Sequence, residues 1–252
     1  MATTAQAIVY DALKEIHVLA EGDVPSASML DDALRALNRI CDTYSNDQSF
    51  SPYANHVTWN LTGEQSFTIG PGNSAIFTVD IAAPATFTSA AHGLNIGDTL
   101  TLATTGALPT GLAILTTYYV ISTGFTANAF QLSATSGGTG ITTTGTQSGI
   151  HTFTQTSSLT KLVTTRPIKI DTATVDRNGI TYPVTVIDNQ KWDAIVFKAA
   201  NGANTRAVYY ESTSPVAIVH VWPVCTGCTL NLRVINQAVL FPTLSTTLVM
   251  PP

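Results

Sequence analysis

The feature that most constrains this chain is a long stretch without charge. From Thr99 to Thr160 the sequence contains no Asp, Glu, Lys or Arg. The stretch is rich in Thr, Gly and Ser, yet aromatic and β-branched residues recur in segments such as TTYYVIST and NAFQLSATSGG. Such bias is typical of strands, whereas a disordered spacer would lack these residues. Because charge ends at Asp98 and returns at Lys161, we interpret 85–154 as a small β-domain inserted into a host domain.

The first 46 residues favour helix. Apolar residues recur at i, i+3 and i+4 from Ala5 to Ile16 and again from Leu30 to Tyr44. Thr3 or Thr4 is predicted to cap the first helix, which Gly22 and Pro25 would end. Ser26 or Ser28 is predicted to cap the second helix. The short connector makes the pair a helical hairpin, and Cys41 on the apolar stripe of the second helix is expected to be a core thiol.

After Pro52 the pattern changes to short alternating runs separated by turn residues, with a hairpin-type turn at Asn178-Gly179. The sequence therefore predicts an α+β fold. In it, an N-terminal helical hairpin over 3–46 packs on an antiparallel β-sandwich-like domain that carries an inserted all-β module. The predicted host domain comprises 1–74 and 160–252, and the insertion comprises 85–154.

Composition excludes several classes of protein. The net charge is −5 and only 11% of residues are charged, so a protein that binds nucleic acid through a basic, phosphate-binding patch is not expected. The N-terminal segment has neither the basic nor the apolar region of a signal peptide, and no stretch approaches the ~20 apolar residues of a membrane helix. We therefore expect a protein made in the cytoplasm without a membrane partner, and three cysteines do not indicate a disulfide framework.

Two cysteines form a C-x-x-C at Cys225 and Cys228. The spacing suits zinc or a redox pair, but zinc needs about four ligands and no second pair is present. Redox motifs of this type usually open a helix, whereas a strand-like run follows here. Pro223 and Gly227 supply turn chemistry, so we interpret the segment as the tip of a hairpin that tolerates polar substitution.

No catalytic, metal or cofactor site is predicted. His92 and Asp98 lie in AAHGLNIGDTLTL, but Gly93 and Gly97 make a turn before a strand the simpler interpretation. The sequence contains no G-x-S-x-G, Walker loop, H-E-x-x-H or G-x-G-x-x-G. We therefore expect a protein that is not an enzyme.

The second helix carries charged residues away from its apolar stripe. The default interpretation is a solvated face, and the sharper one is a contact between protomers. These residues are Asp31, Asp32, Arg35, Arg39 and Asp42.

Four segments taken in order carry a resemblance to a known family. They are AIVYDALKEIHVLAEGDVPSASMLDDALRALNRICDTYSND, EQSFTIGPG, TTRPIKIDTATV and IVHVWPVCTGCTLNLRV. In these segments the chain resembles the head-to-tail adaptor (connector, or tail accessory) proteins of tailed bacteriophages, including the type that stabilises packaged DNA. The resemblance covers 1–74 and 160–252, and 85–154 is similar to a small β-module that recurs inside phage structural proteins. In the family, the VCTGC position is a variable hairpin tip without a metal role.

The resemblance implies a structural virion protein at the neck of the particle. It implies a homo-oligomeric ring of about twelve copies that matches the portal's symmetry. The ring would join the portal to the next tail or nozzle protein, and double-stranded DNA would pass through it during packaging and ejection without sequence-specific binding. The family usually continues into C-terminal helices that engage the portal, so the end of this sequence at Pro251-Pro252 leaves that contact unassigned.

A second function from another class stays open at this point. The charge-free β-insertion could be a carbohydrate-binding or host-recognition module of a phage tail fibre or decoration protein. Its aromatic residues Tyr118, Tyr119 and Phe130 would then carry the binding.

Overall fold

A computed structural model describes residues 3–20, 22–46, 54–237 and 241–248. Within these residues the helices are α1 (Ala5–Glu15), α2 (Ala27–Asn46) and α3 (Asn189–Asp193). The first nine strands are β1 (Thr3–Thr4), β2 (Ala54–Thr62), β3 (Ser66–Gly70), β4 (Ser74–Val79), β5 (Phe87–Thr88), β6 (Thr99–Thr104), β7 (Tyr118–Ile121), β8 (Ala129–Ser133) and β9 (His151–Ser157). The others are β10 (Lys161–Val163), β11 (Pro167–Arg177), β12 (Ile180–Ile187), β13 (Ala207–Glu211), β14 (Ala217–Trp222), β15 (Thr226–Asn236) and β16 (Thr247–Leu248).

The predicted fold class, an α+β fold with a helical hairpin packed on an antiparallel β-sandwich-like domain, is wrong: the described chain is mostly β. Its three helices have 11, 20 and 5 residues, against sixteen strands. The physical reason is that helical periodicity ends near residue 46, and the 200 or so residues that follow carry strand patterns. The large sheet is also mixed rather than antiparallel, because β3 pairs with β10 and β12 with β13 in parallel. The connection from β12 to β13 runs through α3 and is long enough for such a crossover.

The two N-terminal helices form where their capping residues predict. The Thr4 hydroxyl accepts a hydrogen bond from the backbone N–H of Ala7, and the Ser26 hydroxyl accepts one from Met29. The first helix ends at Glu15, before the predicted stop at Gly22 and Pro25, because His17 takes a left-handed backbone conformation. Tyr44, the last residue of the predicted apolar stripe, has a side chain outside the described part of the structure.

An eight-stranded sheet has the order β10-β3-β14-β13-β12-β11-β15-β2. The turn between β11 and β12 is the predicted one, since Asn178 and Gly179 both have positive φ, as a tight hairpin turn requires. A separate two-stranded pair joins β1 to β16.

The connection from Trp222 to Thr226 shows that the large sheet does not lie flat. The two strands that it joins, β14 and β15, stand four places apart in the sheet, which is about 19 Å in a flat sheet. Four extended residues span at most ~14 Å. The sheet therefore curls so that β14 and the start of β15 approach each other without pairing. The predicted hairpin at Cys225 and Cys228 is wrong, and the segment is a corner between unpaired strands.

The charge-free region forms a closed six-stranded barrel, β4-β5-β8-β7-β6-β9. Strand β4 lies outside the predicted range 85–154 and pairs with β9, so the barrel extends from Ser74 to Ser157. Its interior is apolar and comes from the barrel's own chain. The buried residues are Phe77, Val79, Ala85, Phe87, Leu94, Leu100, Leu102, Tyr118, Val120, Phe130, Leu132 and Phe153.

The chain divides into two compact units. The first comprises 1–58, 167–174 and 231–252 and contains α1 and α2. The second comprises 59–166 and 175–230 and contains the barrel, α3, β3 and β12 to β14.

Candidate functional site

The predicted interface residues occupy two faces of α2 rather than one. Asp31 and Arg35 form an exposed ion pair one turn apart. Arg35, Arg39 and Asp42 line one polar groove, whereas Asp32 lines an adjoining apolar groove. A helix advances by about 100° per residue, so position 32 lies only about 20° around the axis from position 39, at the border between the two grooves. The structure therefore brings four of the five residues together.

Side-chain hydrogen bonds run along the polar groove on α2. It encloses about 520 Å³ and is lined by Arg35, Asn38, Arg39, Asp42 and Gln237. The Asn38 amide holds the backbone of Phe241 from both sides, because Nδ2 donates to its C=O at 2.9 Å and Oδ1 accepts from its N–H at 2.8 Å. Gln237 Nε2 donates to Asp42 at 3.1 Å. These hydrogen bonds hold Asn38 and Asp42 against residues 237 and 241. The charged residues Arg35, Arg39 and Asp42, which form the rim of the groove, are exposed.

The apolar groove runs between α1 and α2 and has a volume of about 450 Å³. Its lining has one charged residue, Asp32, and its α2 side is at most half-buried. The lining residues are Ile8, Val9, Ala12, Leu13, Ile16, Met29, Asp32, Ala33, Ala36, Leu37 and Ile40. The sequence predicted this stripe but placed it in the core, and the structure leaves it open as a groove.

Cys41 on α2 is only half-buried, in contrast to the predicted core thiol. Burial raises the pKa of its thiol, and a backbone hydrogen bond partly offsets that shift. The thiol therefore stays mainly protonated near neutral pH, which makes it a poor nucleophile.

Cys225 and Cys228 are bonded to each other as a disulfide and are both buried. The predicted tolerance of polar substitution at Cys225 and Cys228 does not fit two buried sulfurs that are bonded to each other. The carbonyl oxygen of Ala203 lies 3.2 Å from the Cys225 sulfur and 3.5 Å from the Cys228 sulfur. The disulfide links the segment after β14 to the start of β15, and these contacts indicate a structural role for it.

His92 has structural contacts on both ring nitrogens. Nδ1 accepts from the backbone N–H of Leu94 at 3.0 Å, and Nε2 lies 2.8 Å from the carbonyl oxygen of Thr126. The ring packs edge-on against Phe125 and Phe130. Asp98, its candidate partner, bonds elsewhere, to Asn95 N–H and to Gln155. The two residues form the turn before β6 that the sequence indicated, and the structure shows no hydrogen bond between them.

A buried polar cluster at one end of the barrel escaped the sequence analysis. Gln155 donates to Asp98 and accepts from the backbone N–H of Asn73 at 3.0 Å. Lys161 Nζ donates to Asn73 at 2.8 Å and to Gln155 at 3.4 Å. Burial lowers the pKa of the Lys161 ammonium, and the negative charge of Asp98 opposes that shift. Asn73, Asp98 and the 155–161 segment are far apart in sequence, so only the barrel's closure brings the four residues together.

The aromatic residues of the alternative function are not a binding surface. Tyr118 and Phe130 are buried in the barrel core, and the Tyr118 hydroxyl accepts from the backbone N–H of Ala113 at 2.8 Å. Phe130 stacks on Phe87 with ring centroids 5.4 Å apart. Tyr119 alone is half-exposed. A sugar needs an exposed aromatic face, and two of the three candidates cannot offer one.

Among the described residues, no group of three or more His, Cys, Asp or Glu side chains is placed to hold a metal ion. Likewise, none of the described helices combines the length and apolar character needed to cross a membrane. Comparison of the chain with protein-family models, curated proteins and solved structures returns no match.

Proposed function

We propose that the chain is a structural virion protein of a tailed bacteriophage, a ring-forming head-to-tail adaptor at the neck. In this role it joins the portal to the next tail or nozzle protein and retains packaged DNA. The four ordered sequence segments that resemble this family support the proposal, and α1 and α2 form within the first of them.

The observation that carries the proposal is the helix pair, which offers two different surfaces. One is the charged polar groove on α2, and the other is the apolar groove between α1 and α2. A subunit of a closed ring contacts its two neighbours through two different surfaces, whereas a two-fold dimer uses one surface twice. Two unlike grooves on one small unit suit the first arrangement, in which neither groove has to meet its own copy on a neighbour.

The charge of the chain also suits a DNA conduit. A protein that grips duplex DNA presents clustered Lys and Arg, and its affinity rises with the number of phosphates neutralised. This chain has 11 such residues against 16 acidic ones. Passing DNA would therefore meet a surface that does not retain it.

The test is to locate the protein in particles of the virus that encodes it. An antibody raised against the purified chain should label the head–tail junction in electron micrographs. Chemical cross-linking of intact particles should join the chain to the portal protein, with about one adaptor for each portal subunit in a symmetric ring. Label along fibres or over the capsid shell would contradict the proposal, and so would three copies per fibre.

A further inference from the structure

An exposed apolar tip in the second unit has no role in the functions discussed so far. Val196 is fully exposed and Phe197 is 66% exposed, two residues beyond the end of α3 at Asp193. A phenylalanine normally buries most of its surface, so adjacent exposed apolar side chains of this kind indicate a contact surface. We call Val196 and Phe197 the apolar tip.

A hydrogen bond anchors the backbone of the apolar tip. The Trp222 indole N–H donates to the Phe197 carbonyl oxygen at 3.0 Å. Just before the tip, Trp192 is buried and stacks on Tyr209 and His220, with ring centroids 5.9 and 5.0 Å away. Because the backbone at Phe197 is already anchored, binding has to order the side chains of the tip but not its backbone, which lowers the entropy cost of a contact.

The charge next to the apolar tip complements the charge in the apolar groove. Lys198 follows Phe197 directly, and its ammonium lies 5.6 Å from the centre of the Trp192 ring and 3.9 Å from the exposed Asp193 carboxylate. An exposed pair at this distance contributes little, so Lys198 can exchange it for a carboxylate of a second copy. The apolar groove contains a single charged side chain, Asp32. The groove's volume of about 450 Å³ is sufficient for an aromatic ring with an aliphatic neighbour.

We propose that the apolar tip of one copy docks in the apolar groove of a second copy, with Lys198 facing Asp32. This docking deepens the proposed ring-forming role and rests on it for its biological purpose. The contact is heterologous, because a different surface is used on each copy, so repetition of it leads to a ring or a filament. A groove-to-groove dimer would instead bury two copies of Asp32 in one apolar contact, which like-charge repulsion disfavours.

A contact of this size is weak as an isolated pair and gains strength when a ring closes, because the last contacts form at high effective concentration. The experiment is therefore sedimentation of the purified chain at concentrations up to about 1 mM. Phe197→Asp removes the tip and Ala36→Glu places a charge in the groove. Both positions are exposed, so the fold should persist, and circular dichroism checks this. Ile40→Glu is the second groove variant should Ala36→Glu not fold.

Each variant alone should weaken association at least about thirtyfold, the effect of losing one central interface residue. An equimolar mixture of Phe197→Asp and Ala36→Glu should form a one-to-one dimer and nothing larger, because only one intact tip and one intact groove remain. Leu115→Asp is the control, since Leu115 is 83% exposed on the barrel and should leave association unchanged. Reversing Asp32→Lys or Lys198→Asp alone should weaken association, and combining both should restore it.

Three results would overturn the docking: a wild-type chain that is monomeric throughout, an association that survives Phe197→Asp, or a mixture that behaves as two monomers. Loss of association on Ala36→Glu alone, without an effect of Phe197→Asp, would assign the groove to another occupant. Failure of the docking with antibody label still at the neck would leave the proposed function intact. Successful docking without neck label would remove only the proposed function.

Discussion

Trp59 stacks on Phe67 with ring centroids 4.7 Å apart, although their strands β2 and β3 stand six places apart in the large sheet. The turn between the two strands explains the contact. Glu64 accepts hydrogen bonds from the Trp59 indole N–H and, at 2.8 Å each, from the backbone N–H and hydroxyl of Thr62. One carboxylate thus holds the corner and orients the ring that covers Phe67.

Glu64→Gln should lower the free energy of unfolding at neutral pH by about 1 kcal/mol, a value reduced for the partial exposure of the carboxylate. Burial alone would raise the pKa of the Glu64 carboxyl, but the hydrogen bonds from Trp59 and Thr62 lower it below its ordinary value. The stabilisation is therefore complete above the unfolded-state pKa, and it disappears as pH falls through the lower folded-state pKa. Urea unfolding of both proteins at pH 7 and pH 3 measures this.

The difference between the wild type and Glu64→Gln should shrink at pH 3, and Glu15→Gln on exposed helix surface should show no difference at either pH. An effect of Glu64→Gln that is equal at both pH values would mean that the amide fails for steric reasons instead of lost charge.

Reduction of the Cys225–Cys228 disulfide should destabilise the second unit. A cross-link that closes a loop of four residues contributes about 2 kcal/mol through the unfolded chain, which corresponds to roughly 4–8 °C in the unfolding midpoint of a chain this long. Thermal unfolding with and without dithiothreitol measures the shift, and alkylation followed by mass spectrometry should modify one cysteine before reduction and three after. Cys41→Ser should retain the full shift, whereas an equal midpoint under both conditions would remove the disulfide's structural role.

Excision of the barrel should depend on where the chain is cut. Ser74 pairs with Thr154, so the ends of the range 74–157 are adjacent and a short Gly/Ser linker can replace the barrel. Replacement of residues 85–154, the insertion that the sequence predicts, should fail, because it leaves β4 without its pairing strands and exposes Phe77 and Val79. Circular dichroism and gel filtration should show a folded monomer for the first deletion and aggregation for the second. Equal behaviour of the two deletions would show that β4 belongs to the host.

Local sequence patterns predicted helix caps and turns better than they predicted which strands pair with each other. The caps at Thr4 and Ser26 and the turn at Asn178 depend on residues within one turn of each other, and all three are present. Sheet order depends on pairing between distant segments, which no local pattern encodes. Pro and Gly at 223 and 227 favour a turn equally in a hairpin and in a corner between unpaired strands.

The candidate site shows the same division. Helical spacing predicted that Arg35 and Arg39 share a face, and it grouped Asp32 with them because position 32 lies only about 20° around the helix from position 39; the structure shows that Asp32 borders the apolar groove instead. The polar cluster of Asp98, Gln155 and Lys161 could not be predicted, because it requires the barrel to close. The exposure of Phe197 could not be predicted either, because an apolar residue near a strand-like run is normally buried.

Reversal of charge on the polar groove should impair assembly while leaving the monomer folded. The Asp31–Arg35 pair is exposed on both sides and contributes at most about 0.5 kcal/mol, so Arg35→Glu with Arg39→Glu should not unfold α2. The double reversal turns a mixed-charge rim into an acidic one, and an acidic rim repels a neighbour that the original rim would attract. Circular dichroism should be unchanged, whereas ring formation should weaken and particles should release DNA to nuclease. Lys191→Glu is the matched control, because Lys191 forms a similarly exposed pair with Asp188 on α3. Stable, DNA-filled particles from the double reversal would place the protomer contact away from the polar groove.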